Sequence, residues 1–319
     1  MRFLLLLVIS YTYILANSHI FVYHRFADTK HKSANTTIKE LEKEFTYFKE
    51  NGYTVVPLQK IVDKLNNKQT IPDKWIALTI DDAYKSFYEH GLEVFKKYKY
   101  PFTLYVYTEA TNRNFGDFMS WEQIKEASKY GTIGLHSYSH PHLLNLSAKE
   151  VYNDTNKAYK LFIKKMGYAP TSYAYPYGEY NLKIQYQLRK FNFQTILNQN
   201  TGSITSKTKT YDIPRIALVG KVNIKQKLRY KTFNAKWIEP LEFPNDGILK
   251  TVRAKVDPKY KKLKLYITGD GWRDVKVNNG IINEKINIRL KRARTRIMLG
   301  SDVFTISNNI ITKRNKNGK

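Results

Sequence analysis

The 319-residue sequence contains no cysteine, and this absence limits the chemistry open to it. Disulfide frameworks, thiolate zinc sites, iron–sulfur clusters, a cysteine nucleophile and a lipid anchor on an N-terminal cysteine are all excluded. Any metal must therefore be bound by histidine and carboxylate side chains. Histidine is also scarce, with only seven in the chain, so few combinations of residues can form such a site.

Long hydrophobic stretches are equally scarce, apart from one at the start of the chain. Residues 1–16 combine a basic residue, Arg2, with a short apolar stretch and a final Ala16. This pattern is typical of a secretory signal, and it is too short and too polar for a good membrane span. An uncleaved N-terminal anchor is the alternative. We therefore expect an exported protein, periplasmic, in the cell envelope or secreted, with no membrane span after the signal.

Negative charge is under-represented. The chain has 54 Lys and Arg residues against 27 Asp and Glu residues, which gives a formal charge of +27. The excess is concentrated from Lys221 onward, where 25 basic residues stand against 8 acidic ones. Such a segment suits an anionic partner such as an envelope or matrix surface, and a set of solvated lysines without a specific partner is the alternative. Export argues against a nucleic-acid partner.

Strand-like and helix-like segments alternate over the first 220 residues. Helical patterns, two of which begin with capping boxes at Thr37 and Ser147, separate seven short strand-like segments. These predicted strands are residues 20–23, 53–56, 75–80, 102–107, 132–135, 173–175 and 195–197. Such alternation indicates parallel strands joined by crossovers. Residues 17–220 are therefore predicted to form an α/β domain, a distorted (β/α) barrel of about seven parallel strands. A doubly wound sheet is the alternative.

The pattern changes after residue 220. Short alternating runs begin at Trp237 and end with Arg296–Ile306, and turn signals such as Asn278-Asn279-Gly280 separate them. Residues 221–312 are therefore predicted to form an all-β sandwich domain. Residues 313–319 are predicted to be a basic polar tail.

Two groups of candidate reactive residues follow predicted strands. Asp81 and Asp82 stand where the strand 75–80 ends. Because side chains alternate along a strand, one carboxylate can bind a metal while the other faces a substrate. A helix-capping role is the alternative. The second group contains His136 and His140, whose spacing lets two imidazoles converge on one ion. A pair of surface histidines is the alternative there.

The two groups are more informative together than separately. Both lie at the carboxyl ends of predicted strands, the face on which barrel enzymes build their active sites. Asp82, His136 and His140 would supply three ligands and leave one position open for water, as in catalytic zinc sites. The sequence therefore predicts a bound divalent metal, with zinc the first choice and cobalt or nickel as alternatives.

These motifs resemble those of a known family, the polysaccharide deacetylases of carbohydrate esterase family 4, also called the NodB-homology group. Thr79–Ala83 resembles the family's Thr-Phe-Asp-Asp-Gly motif, and His136–Pro141 resembles its His-Ser/Thr-x-x-His-Pro signature. Tyr175–Gly178 and Asp212–Ile216 resemble two later motifs. The resemblance covers roughly residues 18–220. It implies metal-dependent removal of N-acetyl groups from an N-acetylglucosamine polysaccharide, with release of acetate.

The resemblance also implies a role for each motif residue. Asp82, His136 and His140 would bind the metal. Asp81 would act as general base and take a proton from the metal-bound water as it attacks the amide carbonyl. The backbone N–H of Tyr177 would donate to the developing oxyanion.

The sequence departs from the family pattern at several positions of the site. The family commonly takes its general acid from a histidine near the end of the domain, but this chain has no histidine after His142. His24 follows the first predicted strand and resembles the early Tyr-His of the branch that acts on poly-β-1,6-N-acetylglucosamine, so it is predicted to be the acid, with a structural histidine as the alternative. Arg215 is predicted to steady the base, with a surface arginine as the alternative. Ala83 stands where the family has glycine.

Two aromatic residues near the motifs, Tyr138 and Tyr177, are candidates for stacking on sugar rings, and a core position is the alternative for both. Other functions stay open at this point. The same site would serve a peptidoglycan deacetylase or an O-acetyl esterase. A non-catalytic glycan- or polyanion-binding surface protein is a third alternative, although the presence of both aspartates and both motif histidines argues against it.

Overall fold

The protein is described here by a computed structural model that covers residues 18–314. The predicted signal, residues 1–16, and the last five residues of the predicted tail lie outside these described residues. Export of the chain therefore stays a prediction. Among residues 18–314, no helix combines the length and the apolar character needed to cross a membrane.

The first part of the described chain contains ten strands. They are β1 (His19–Tyr23), β2 (Arg25–Phe26), β3 (Asn35–Thr36), β4 (Thr54–Val55), β5 (Trp75–Ile80), β6 (Thr103–Val106), β7 (Thr132–Leu135), β8 (Ser172–Ala174), β9 (Thr195–Leu197) and β10 (Ile216–Ala217).

Helices alternate with these strands. They are α1 (Ile38–Glu50), α2 (Leu58–Asn66), α3 (Leu92–Tyr98), α4 (Thr108–Asn112), α5 (Trp121–Ala127), α6 (Ala148–Met166), α7 (Leu182–Leu188) and α8 (Ile224–Lys227). Both predicted capping boxes are formed: the side chains of Thr37 and Ser147 accept from the backbone N–H groups of Glu40 and Glu150 at the first turns of α1 and α6.

Seven parallel strands form a curled sheet in the order β10-β1-β5-β6-β7-β8-β9, and β4 pairs with β5 outside this path. The two ends of the path approach each other, since Leu197 of β9 pairs with Ile213, three residues before β10. This confirms the predicted distorted (β/α) barrel. Aromatic side chains such as Phe21, Phe45 and Phe95 fill its core between the sheet and the helices.

The predicted number of strands in the barrel sheet, seven, is right, but one of the predicted strands is replaced by another. The predicted strand 53–56 is reduced to the two-residue β4 outside the path, and β10 takes the seventh place. Only two residues of β10 pair with β1, and Pro214 lies just before it. So short a segment shows no alternation in the sequence, and for this reason it was missed.

The C-terminal part of the described chain contains eight strands in two small sheets. They are β11 (Lys231–Thr232), β12 (Lys236–Glu239), β13 (Ile248–Lys255), β14 (Lys262–Ile267), β15 (Gly271–Lys276), β16 (Ile281–Arg289), β17 (Arg294–Gly300) and β18 (Thr305–Thr312). The sheet orders are β11-β18-β17-β14-β15 and β12-β13-β16.

The two C-terminal sheets share one apolar core, to which residues such as Leu249, Ile282 and Ile297 contribute. These extra β sheets fit the predicted all-β sandwich. One predicted run was wrong: Arg296–Ile306 is not a single strand but the end of β17, a turn and the start of β18. The linking segment that contains Ile224 packs against the barrel core, with Tyr230 against the same cluster.

Candidate active site

The predicted site residues meet at one end of the barrel. His24 follows β1, Asp81 and Asp82 follow β5, and His136 follows β7. Because parallel strands all point the same way, their carboxyl ends meet at one face, and the loops there can converge. Arg215 comes from the segment just before β10, and its fully buried side chain extends to Asp81.

Three of these residues form a group with the spacing of a metal site. One ligand atom from each of Asp82, His136 and His140 lies within 4.8 Å of the other two. The Nε2 atoms of His136 and His140 are 3.3 Å and 3.1 Å from the same oxygen, Oδ1 of Asp82. Ligands about 2.1 Å from a tetrahedral ion are about 3.4 Å apart, so these separations suit such an ion.

The chemistry of the donor set also fits a divalent metal. Oδ1 of Asp82 is buried and receives no hydrogen bond of good geometry from any described residue, although both imidazoles face it. An unsatisfied buried carboxylate oxygen is costly unless a cation satisfies it. Burial alone would raise the pKa of Asp82, but the two neighbouring imidazoles hold it well below its usual range. The carboxylate is therefore ionised, as a ligand must be.

His136 is held in the orientation that a metal ligand needs. Its Nδ1 is 2.7 Å from the backbone oxygen of Ala174, at the end of β8. A carbonyl oxygen can only accept, so Nδ1 carries a hydrogen, and Nε2, which faces Asp82, is the atom that would bind an ion. Ligating histidines are usually fixed in this manner by a second partner.

Asp81 makes a different set of contacts from its neighbour. Arg215 donates to its two carboxylate oxygens from Nη1 and Nη2, over 2.6 Å and 2.8 Å, and both side chains are fully buried. The same guanidinium donates to Thr79 Oγ1 and to the backbone oxygen of Asn198. Burial alone would raise the pKa of Asp81, but Arg215 and His136 lower it. Asp81 is thus an ionised and rigidly oriented acceptor.

His24 lies close enough to these groups for their charges to act on it. Burial lowers its pKa, while the carboxylates of Asp81 and Asp82 oppose that effect. Its Nδ1 is buried and has no hydrogen-bond partner among the described residues. His24 is within reach of the charges of both aspartates, and its role as the acid stays a prediction.

The two predicted tyrosines occupy different surroundings. The ring of Tyr177 is half-exposed, lies 4.6 Å from the ring of His140, and stacks on His142 at 4.1 Å. The ring of Tyr138 lies 3.6 Å from the ammonium group of Lys157 on α6 and packs against the barrel core. Tyr177 therefore borders the metal-ligand group, whereas the Tyr138 ring is engaged by α6.

The loops of the site hold strained backbone. Asp82, Ala83, Ser137, His140 and Tyr177 all have positive φ angles, between 49° and 73°. Residues other than glycine seldom adopt this region, and they cluster in it where function requires a particular geometry. Ala83 at φ 57° shows that the loop keeps a left-handed conformation where the family has glycine.

Sequence reasoning missed several residues that hold these loops. Asp154 on α6 accepts from the backbone N–H groups of Tyr138 and Ser139 and from the Ser139 hydroxyl, which fixes the histidine loop. Glu179 is almost fully buried beside Tyr177 and pairs with Nδ1 of His142 over 3.0 Å. A single carboxylate within a helix or turn carries no sequence signal of its own, so neither could be singled out.

Comparison with known proteins relates the barrel region to one family. Residues 68–196 match the sequence profile of the polysaccharide deacetylase family. The chain is 24% identical over 211 residues to the poly-beta-1,6-N-acetyl-D-glucosamine N-deacetylase of Staphylococcus aureus strain MSSA476. This match covers 62% of this chain and 72% of that protein. The chain is 23% identical over 242 residues to the Escherichia coli K12 protein of the same name, and this match spans 63% of this chain but only 36% of that protein.

A solved structure shares the fold. The structure of IcaB from Ammonifex degensii superposes with a TM-score of 0.58 at 23% sequence identity, and covers 64% of this chain and 92% of that one. At this identity the likeness establishes the barrel architecture and nothing finer.

Proposed function

We propose that this chain, which carries a polysaccharide deacetylase domain, hydrolyses the N-acetyl groups of an N-acetylglucosamine polymer and releases acetate. The observation that supports this most is the pairing of two aspartates with opposite environments. Asp82 faces two histidine Nε2 atoms, and Asp81 is clamped by a buried arginine. Two adjacent carboxylates held apart in this way can perform two different tasks.

Asp82, His136 and His140 are the residues that we assign to the metal, with Zn²⁺ the first choice and Co²⁺ or Ni²⁺ as alternatives. A divalent ion held there supplies Lewis acidity, which polarises a carbonyl and makes water easier to deprotonate. The three side chains would bind and orient the ion; Asp82 and His136 are buried, while His140 is partly exposed on the open side.

Asp81 is assigned the role of general base. Its two oxygens accept from Arg215, which keeps the carboxylate ionised and fixed in orientation. Asp81 takes a proton from the water that adds to the acetamide carbon, and the backbone N–H of Tyr177 donates to the carbonyl oxygen as it gains charge. We assign Arg215 the task of steadying Asp81.

His24 is assigned the role of general acid. When the carbon–nitrogen bond breaks, the leaving nitrogen needs a proton, and His24, on which the charges of Asp81 and Asp82 act, would donate it. The products are then acetate and a free amine on the sugar. Tyr177 offers a half-exposed ring beside the site for stacking on a sugar, and Tyr138 remains a weaker candidate for the same task.

The substrate class rests on the relatives. Proteins 23% and 24% identical to this chain are named poly-beta-1,6-N-acetyl-D-glucosamine N-deacetylases. We therefore propose a β-1,6-linked N-acetylglucosamine polymer as the substrate, and an exported location where such a polymer is found. The cationic surface would keep the enzyme near an anionic envelope or matrix.

Acetate release from a small panel of substrates tests this proposal. The metal-loaded protein would be incubated with β-1,6-linked and β-1,4-linked N-acetylglucosamine oligomers, with peptidoglycan and with an O-acetylated glycan. We expect the highest kcat/KM on the β-1,6 oligomer. Faster release from peptidoglycan or from the O-acetyl ester would reassign the substrate, and no release from any of the four would reject the enzymatic function.

A further inference from the structure

The C-terminal sandwich contacts the loop that carries Tyr177. In β17, alternate side chains point to opposite faces, so Thr295, Ile297 and Leu299 are buried in the sandwich. Arg294 and Arg296 therefore point the other way, and both contact the barrel. The sandwich thus presents two guanidinium groups to the face on which the site is built.

Arg294 engages the Tyr177 loop directly. Its Nη2 donates to the backbone oxygen of Tyr177 over 2.8 Å, and its Nε is 3.8 Å from Glu179 Oε1. Thr312, the residue paired with Arg294 across β17 and β18, donates from its hydroxyl to the same Glu179 oxygen over 3.0 Å. Two adjacent residues of the sandwich therefore hold one turn of the barrel.

Glu179 connects this contact to the site. The side chain of Glu179 is almost completely buried, and its other oxygen pairs with Nδ1 of His142. The ring of His142 stacks on Tyr177, which in turn touches the ring of His140. A chain of direct contacts therefore runs from the sandwich to one of the residues assigned to the metal.

The neighbouring loop is held in the same way. Arg296 donates to Thr201 Oγ1 over 2.9 Å and to the backbone oxygen of Gln199 over 3.2 Å. Gln199 packs so closely on Gly178 that a Cβ there would come within 2.6 Å of it. Gly178 has φ 68°, so both its conformation and its lack of a side chain are needed at this contact.

The Tyr177 turn needs such support because its backbone is strained. Tyr177 has φ 57°, and a non-glycine residue in this region costs on the order of 1–3 kcal/mol. Such a conformation persists only where surrounding contacts fix it. The contacts that fix this one come from Arg294 on one side and from the Gly178–Gln199 packing on the other.

We propose that Arg294 and Thr312 are positioning residues of the active site, supplied by the C-terminal sandwich. They hold the Tyr177 backbone oxygen and Glu179, and so fix the turn in which the Tyr177 N–H points at the carbonyl oxygen of the substrate. This inference rests on the proposed function for the role of that N–H, but the contacts themselves do not depend on it. The sandwich is on this view a part of the catalytic unit.

Four full-chain variants test the proposal: Arg294→Ala, Arg294→Lys, Thr312→Val and, as a matched control, Arg292→Ala. Arg292 is exposed on the same sandwich, two residues before Arg294. Removal of an oxyanion donor costs about 10²–10³-fold in kcat, and displacing one costs less. We expect Arg294→Ala to lower kcat about 10-fold to 100-fold with KM and bound-metal stoichiometry unchanged, and Thr312→Val to lower it less.

Chemical rescue by guanidinium and measurement of hydrogen exchange distinguish a positioning role of Arg294 from a simple loss of packing. Added guanidinium should restore part of the kcat of Arg294→Ala, and Arg294→Lys should retain an intermediate rate. Hydrogen exchange measured by mass spectrometry should rise in the segment 175–181 of Arg294→Ala and not in Arg292→Ala. If Arg294→Ala unfolds, Thr312→Val provides the same kcat and exchange readouts.

The outcomes distinguish this inference from the proposed function. If the wild-type protein releases acetate while Arg294→Ala and Thr312→Val keep its kcat and its exchange pattern, the positioning role is wrong. If the wild-type protein releases no acetate but exchange at 175–181 rises in the variants, the proposed function is wrong and the sandwich still fixes the loop. A rise in KM alone would assign Arg294 to substrate binding and overturn the positioning role.

Discussion

In the barrel, Asp81, Asp82 and Arg215 are almost completely buried at the carboxyl ends of the strands, whereas in the sandwich several acidic side chains lie exposed beside lysines. Asp274, for example, is 43% exposed and pairs with Lys264. Buried ion pairs seldom add to stability, because desolvation offsets their attraction. Their presence at one end of the barrel therefore indicates a chemical need, while the exposed pairs of the sandwich serve solubility.

The interface between the two regions lies between these two extremes, since the Arg294 side chain is 39% exposed. Arg294 and Arg296 of the sandwich turn away from its own core and toward the barrel loops, and burial lowers the pKa of Arg296 to about 10. These two guanidinium groups donate to backbone oxygens of the barrel. The sandwich thus supplies two guanidinium groups, one exposed and one partly buried, to the barrel loops beside the site.

Substitution of the assigned base gives the largest expected effect. Asp81→Asn keeps the shape of the side chain but removes the charge that accepts a proton, so kcat should fall about 10²–10⁴-fold. Acetate release under saturating substrate is the measurement, with metal content as a check that the neighbouring ligands are intact. Near wild-type kcat in Asp81→Asn would show that another group is the base.

Removal of the buried Arg215 guanidinium tests the comparison between buried and exposed ion pairs through its effect on protein stability. Arg215→Met leaves Asp81 buried without its counter-charge, and loss of one partner of a buried pair typically costs about 3–5 kcal/mol. Asp274→Asn in the sandwich is the matched control and should change the free energy of unfolding by less than about 1 kcal/mol. Urea unfolding of both variants gives the two values, and similar losses would contradict the comparison.

Substitution of His24, the assigned general acid, should lower the catalytic rate and leave substrate binding almost unchanged. His24→Asn should lower kcat about 10²-fold with KM and metal content close to those of the wild type. His31→Asn is the control, since His31 is exposed and pairs with Asp28 outside the metal-ligand group. Equal rates for His24→Asn and the wild-type protein would remove His24 from the mechanism.

Glu44, a buried carboxylate without an arginine partner, gives the smallest expected effect, which is a change in how stability depends on pH. Burial raises the pKa of Glu44 to about 7 from an ordinary 4.5, although a hydrogen bond from Tyr23 opposes this. The folded state therefore favours the protonated form of Glu44. The stabilisation that Glu44 contributes is present in full below about pH 4.5 and is lost as the pH rises through about 7.

Glu44→Gln should remove this pH dependence. Between pH 5 and pH 8, the free energy of unfolding of the wild-type protein should fall about 2 kcal/mol more than that of the variant. Urea unfolding at the two pH values measures the difference. Parallel pH dependence in the two proteins would show that Glu44 is ionised in the folded state, as Asp81 is.

The sequence predicted the barrel because its longer strands and capped helices carry strong local patterns. The apolar strand before Asp81 and the capping boxes at Thr37 and Ser147 are of this kind. The sequence patterns did not predict β10, which is two residues long, and they predicted the end of β17 and the start of β18 as one run. Boundaries of this kind depend on pairing between distant strands, which no local pattern records.

The same distinction applies to the site. Asp82, His136 and His140 could be grouped in advance, since the segments that carry them follow strands whose carboxyl ends meet at one face. The contact of Arg215 with Asp81 spans 134 residues, and only the resemblance suggested it. Arg294 carried no signal at all, because its importance comes from the docking of the sandwich on the Tyr177 loop.

Metal reconstitution tests the central claim most directly. The protein would be stripped with a chelator, and acetate release from a β-1,6-linked N-acetylglucosamine oligomer would be followed as Zn²⁺ is added back, with Asp82→Ala in parallel. We predict no release from the stripped protein, full recovery at one equivalent of metal, and no recovery in Asp82→Ala. Undiminished release from the metal-free protein, or recovery in Asp82→Ala at the same stoichiometry, would contradict the account.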